Sequence, residues 1–154
     1  VTRAEVAAFI GIRLDALIDA APRRMPDIAT DVRTPWAAPW ILPVTRAGVM
    51  SIYPNHTFQP SASVRRGDLA ATVAALLRIV GASRPADLAR WQAVKPRFVD
   101  LSAAHVSYPA VSLAVGAGAM SADRAGRFDP TRLATVAYLD AAVRRVSQLA
   151  ARQP

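Results

Sequence analysis

Two stretches, "AGVMSIYPNHTFQP" (Ala47–Pro60) and "AGAMSADRAGRFDP" (Ala117–Pro130), stand 70 positions apart and decide how the rest of the chain is read. Six of their fourteen positions are identical: Ala47/Ala117, Gly48/Gly118, Met50/Met120, Ser51/Ser121, Phe58/Phe128 and Pro60/Pro130. Gly and Pro fix unusual backbone geometry, so their repetition implies a repeated turn and not merely a shared composition. Self-similarity at a fixed period is the mark of a repeat architecture.

The same offset carries outward from the turn. Pro39 falls on Pro109, Leu69 on Leu139, Ala71 on Ala141 and Val73 on Val143, which makes ten identities over positions 39–73. Each copy reads alike. An Asp opens it (Asp27, Asp100), and a short helix follows, near 35–47 and 104–117. A glycine stands where that helix should end, the favoured place for Gly just past a C-terminus. A loop then leads to Phe-x-Pro and to a long helix.

The long helices show an apolar stripe at three-four spacing. It runs through Leu69, Val73, Leu76, Leu77 and Val80 in one copy, and Val136, Leu139, Val143, Val146 and Ala150 in the next. Phe9, Ile10, Leu14, Leu17 and Ile18 draw the same stripe near the start. There Thr2 and Glu5 have the spacing of a capping box. The spacing predicts long helices over 2–20, 64–80 and 134–150. Residues 1–20 thus read as the closing helix of a truncated first repeat, 21–82 as a second repeat, 83–96 as an inserted linker and 97–152 as a degenerate third repeat, in one domain. On that reading the first helix lacks its short partner, so Val6, Phe9 or Ile10 should be left partly open or covered by another protein.

Composition agrees with an all-α fold. Of 154 residues 53% are hydrophobic but only 6% are aromatic, and Ala abounds. That favours close helix packing over sheets rich in aromatic and β-branched side chains. There is no Cys, so neither disulfides nor thiolate metal sites exist. The two histidines, His56 and His105, have no metal-ligand spacing, and there is no nucleophile motif or phosphate loop. No enzyme activity, cofactor or metal is expected. Residues 101–122 carry no charge, yet Ser, Gly, His and Pro make them too weakly apolar for a membrane span. Net charge is +8, from 18 Arg and one Lys against 11 acids. Such an excess suits an anionic partner. Nucleic acid is not expected, because the arginines are spread along the chain without interleaved aromatics.

In order and in repetition, these motifs resemble the S-layer homology (SLH) repeat. That repeat runs Phe-x-Asp-Val, His-Trp-Ala, Gly-Ile-Ile-x-Gly, Phe-x-Pro and Ile-Thr-Arg-Ala-Glu. Here its elements appear as Asp27-Ile28, Trp36-Ala37, Gly48-Val49-Met50, Phe58-x-Pro60 and Arg65-Arg66-Gly67-Asp68, then as Phe98-x-Asp100, His105-Val106, Gly118-Ala119-Met120 and Phe128-x-Pro130. Val1-Thr2-Arg3-Ala4-Glu5 is the best copy of the last motif. The resemblance implies a pseudo-threefold bundle of three long helices with short helix and loop prongs. It implies a non-catalytic module that anchors an exported protein to the cell envelope through an anionic cell-wall polysaccharide. The alternative is a structural or protein-docking subunit that keeps the fold with a worn third repeat.

The candidate ligand residues follow. Arg3 and Arg66 hold the motif Arg position near a helix N-terminus, where a guanidinium fork and free N–H groups favour a carboxylate. Against this stands a salt bridge or a solvated Arg. Trp36 could stack on a sugar ring or wedge the short helix. Gly48 and Gly118 could bring backbone N–H groups to a ligand or cap helices. Val136 replaces the motif Arg of the third repeat, and Arg132 would stand in if that helix began at Asp129-Pro130. Trp40 reads as packing, and Trp91 as docking the linker or serving a partner.

Overall fold

The computed structural model describes residues 1–22, 28–32 and 36–152. Among them the regular elements are helices: α1 (Arg3–Arg13), α2 (Asp15–Ala20), α3 (Ala38–Arg46), α4 (Arg66–Ala82), α5 (Pro85–Ala93), α6 (Tyr108–Gly116) and α7 (Val136–Ala151). The described residues form no sheet; isolated antiparallel bridges join Thr2 to Ser63 and Arg65 to Leu133. The all-α class expected from the periodicity holds. Asp27, and the start of the short helix at Pro35, lie outside the described residues. The chain divides into two compact units, Val1–Val64 and Arg65–Pro154.

In the first unit, α1 begins where its capping box dictates. The Glu5 amide donates to Thr2 Oγ1, and the Thr2 amide donates to Glu5 Oε2 at 2.7 Å. Two backbone N–H groups at the helix start thereby gain partners. One helix over 2–20 was expected, but Leu14 leaves helical geometry (φ −129°, ψ 31°) and α2 restarts at Asp15. The Asp15 carboxylate takes the Ala16 amide at 2.8 Å, a local bond that competes with helix continuation. Helix α3 packs along α1. The approach is close enough that a Cβ on Gly11 would lie 2.7 Å from Trp40 Cδ1, so Trp40 is packing, as expected.

This packing narrows the open-face expectation to Phe9. Val6 and Ile10 are fully buried, and Phe9 is half-buried with the Arg13 guanidinium 5.0 Å from its ring centre. The short partner of α1 is α3, which follows it in the chain. The exposed apolar side chain on α1 is Ile12.

In the second unit, α4 packs against α5, α6 and α7. Its buried stripe contains Leu69, Val73, Leu76, Leu77 and Val80, as the spacing required. Helix α7 begins at Val136 with Thr135 as N-cap, its hydroxyl accepting the Tyr138 amide at 3.2 Å. Its buried face is Leu139, Ala142, Val143, Val146 and Leu149. Val136 is 63% exposed, because a first-turn residue points away from the packed face; Leu149, not Ala150, ends the stripe. The expected linker contains α5. Pro85 in its first turn, Asp87 after it and Arg90 at its end match the helix-start and dipole preferences.

Each unit contains the same loop. Gly48 (φ 70°) and Gly118 (φ 69°) stand just past α3 and α6. Their amides donate to Thr45 and Val115, and the next amides, of Val49 and Ala119, donate to Val44 and Ala114. That pair of bonds is the Schellman helix ending, which needs a left-handed residue and so favours Gly. Farther on, Gln59 (φ 55°) and Asp129 (φ 53°) take a second left-handed turn at matching places. Phe58 and Phe128 have no exposed surface and plug the loop from inside.

Candidate functional site

Arg3 and Arg66 are the first residues of α1 and α4, each held against its own unit's loop. The Arg3 amide donates to Ala62 O and the Arg66 amide to Arg132 O, at 2.9 and 2.8 Å. The Ala4 and Gly67 amides donate to Pro60 O and Pro130 O, at 2.9 and 2.8 Å. First-turn amides otherwise left without partners are thus used to staple each helix start to its Phe-x-Pro segment.

The two side chains then fold back over the loop. The Arg3 guanidinium lies 4.5 Å from the Phe58 ring centre and 4.7 Å from that of Tyr53. Its Nε donates to Phe58 O at 2.7 Å and its Nη2 to Ser51 O at 2.6 Å. The Arg66 guanidinium lies 4.9 Å from the Phe128 ring centre and 4.1 Å from that of Tyr138. Its Nη2 donates to Ser121 O at 3.1 Å and to the Tyr138 hydroxyl at 2.7 Å. Each motif Arg is therefore a cation–aromatic clamp on the carbonyl of the serine in Met-Ser. Neither guanidinium is simply solvated.

The copies differ in one respect. Tyr138 stands at the third position of α7, where α1 has Glu5 and α4 has Asp68. Its hydroxyl also donates to Ser121 O at 3.0 Å. The Arg66 fork is turned toward it, and Arg66 Nε is left buried without a hydrogen-bond partner. Burial raises the Tyr138 pKa above its usual value, although the Arg66 charge and the bond to Ser121 act the other way.

A carboxylate locks each loop from the other side. Asp31 accepts the Phe58 and Gln59 amides, both at 2.8 Å. Asp100 accepts those of Phe128 and Asp129, at 2.9 and 2.7 Å. Burial alone would raise both acids. The two amide bonds at each outweigh it, with help from the charges of Arg3 and Arg127, and both carboxyls are held below the ordinary Asp range. Asp31 therefore does for its loop what Asp100 does for the other. The motif order pairs Asp100 with Asp27 as the residue that opens each copy, and Asp27 lies outside the described residues. The signal was spacing: Asp100 precedes Phe128 by 28 residues and Asp31 precedes Phe58 by 27.

The other candidates fall as follows. Trp36 is 63% exposed, with its ring edge-on to Trp40 at 6.1 Å between centres, so it does not act as a wedge. Val106, at the matching motif position, is 90% exposed. The Gly48 and Gly118 amides are spent on helix endings. A Cβ on Gly118 would stand 3.7 Å from Arg145 Nη2, which brings a further guanidinium to that loop. Arg132 is not at a helix start. Thr135 caps α7, and Arg132 instead gives its carbonyl to the Arg66 amide. Trp91 is buried and docks α5, as one of its two expected roles required.

A short helix ended by a left-handed Gly, a buried Phe before Pro, and a helix opening on Arg with an acid two positions later are now all placed between Asp31 and Ala70. Residues 30–70 match the S-layer homology domain. The match begins beside Asp31 and so includes the loop-locking acid. No curated protein and no solved structure matches the chain. The S-layer homology domain is a cell-surface anchoring module. None of the described helices is long and apolar enough to cross a membrane, and no cluster of three metal-ligating side chains occurs among the described residues.

Proposed function

We propose that this chain is a non-catalytic, extracytoplasmic module that holds its protein to the cell envelope by binding an anionic cell-wall polysaccharide. The observation that carries the reading is the S-layer homology match over residues 30–70, which spans an outward-facing Trp36. An exposed indole braced by a second one is a ready platform for the apolar face of a sugar ring. The positive net charge of +8 draws in an acidic polymer. Arg3, half-buried beside Tyr53, keeps its positive charge at that loop and would attract a carboxylate of the polymer there. Gly48 ends the short helix of that unit, while Arg66, Gly118 and Arg132 brace the matching loop of the second unit.

One observation favours a second reading. In the second unit the aromatic platform is replaced by Val106, and Tyr138 occupies the Arg66 fork. A unit changed in this way keeps its packing and suits a protein-docking role. Co-sedimentation with purified cell-wall sacculi separates the two. Trp36→Ala leaves the core untouched and should cut sacculus binding by about tenfold, the effect of roughly 1.4 kcal/mol. Undiminished binding by Trp36→Ala, with a protein co-purifying stoichiometrically from native envelopes, would favour docking.

A further inference from the structure

The second unit carries a pocket that none of the repeat motifs reaches. It has a volume of about 300 Å³ and is lined by Arg78 of α4, Gln92 of α5, Lys95 beyond α5, and Tyr108, Ser112 and Leu113 of α6. That volume is at the lower end for small-molecule sites. Arg78 and Lys95 both line it, no acidic side chain does, and neither cation is in an ion pair with the described residues. Among the described residues the ion pairs of α5 go elsewhere, with Asp87 taking Arg84 at 3.7 Å and Arg90 at 2.7 Å.

The walls are built to hold their shape. A Cβ on Gly81 would lie 2.7 Å from Leu88 Cβ, and one on Gly116 only 2.4 Å from the Trp91 carbonyl oxygen. Helix α5 is thus pressed onto α4 and α6 as closely as backbone allows, with Trp91 buried as its anchor. The Tyr108 hydroxyl donates to Pro96 O at 2.9 Å and ties down the segment that carries Lys95. Deep in the pocket Ser112 is 5% exposed, one of two buried polar side chains among the described residues. A helix inserted only to fill space would be expected to close this gap. Instead the three helices leave an opening lined by two cations, an amide and a hydroxyl.

We propose that this pocket is an anion site, which takes a small organic molecule bearing a carboxylate or phosphate group. The guanidinium fork and the ammonium flank the oxyanion, as positive clefts without acids favour. Gln92 and Ser112 offer hydrogen bonds to a hydroxylated body, and Leu113 with the Tyr108 ring supplies an apolar wall. The site is separate from the wall-binding reading and stands or falls without it.

The test titrates the isotopically labelled full chain with D-glucuronate, D-glucose 6-phosphate or neutral D-glucose at matched ionic strength, following backbone amide signals by NMR. Saturable shifts at Gln92 and Ser112 are expected with at least one anion, at a Kd of about 1 mM or tighter, and none with glucose. Whichever anion binds more tightly identifies the headgroup. Arg78→Ala and Lys95→Ala alter exposed side chains and should each weaken binding at least tenfold with unchanged circular dichroism. No saturable shift with either anion, or equal binding by the Arg78→Ala/Lys95→Ala double variant, overturns the proposal.

Discussion

Asp31 and Asp100 show how one side chain fixes a loop. Each carboxylate satisfies two consecutive amides beside a buried Phe, so its loss strands two donors in a partly dry place. Hydrogen bonds to a charged group contribute about 1.5–3 kcal/mol, and Asp31→Asn should lose stability of that order at neutral pH. The pH dependence follows from the lowered carboxyl pKa. The unfolded acid titrates near 3.9, while the folded one stays ionised to lower pH. Its contribution is complete above the unfolded value and disappears as pH falls through the folded one. Urea unfolding at several pH values should therefore show the gap between wild type and Asp31→Asn narrowing below about pH 4. A gap that stays constant into acid would remove the carboxylate from the account. The arginines invert the usual expectation for a charged surface residue: Arg3 and Arg66 spend their donors on carbonyls of their own loops, a use that spacing alone does not reveal.

At the scale of elements, α5 and α7 carry the strongest constraints. Gly116→Ala would push a methyl into the Trp91 carbonyl and force α5 and α6 apart. Overpacking of this kind costs about 1–3 kcal/mol, and the Trp91 fluorescence should shift to the red as the ring becomes wetter. An unchanged spectrum with an unchanged melting temperature would contradict the close approach. The end of α7 depends on Arg84. Its guanidinium donates to the carbonyls of Leu149, Ala150 and Arg152, partners the last turn of a helix otherwise lacks. Arg84→Ala should fray that turn, so that amides 148–151 exchange faster with solvent while those of α4 keep their protection. Uniform loss of protection across the unit would point to global destabilisation instead.

At the scale of the whole chain, what was legible in the sequence is what local chemistry sets. The apolar stripes of α4 and α7, the glycine endings at Gly48 and Gly118 and the buried Phe58 and Phe128 follow from spacing and backbone preference. What escaped depends on partners distant in sequence. The closure of α1 by α3 required knowing which short helix belonged to it, and the Tyr138 contact joins residues 72 apart. Helix α5 did carry its own start signals in Pro85 and Asp87, but its absence from the repeat made it read as linker. Of the candidate site, the motif position of Trp36 is legible in the sequence but its exposure is not, because burial is decided by neighbours brought in by the fold. The central claim, envelope binding through an acidic polymer, is tested most directly by the fraction of chain that co-sediments with purified sacculi before and after the anionic polymer is extracted. The account predicts saturable binding to intact sacculi that is lost on extraction and returns when the released polymer is immobilised. Binding that survives extraction unchanged, or none to intact sacculi, would contradict it.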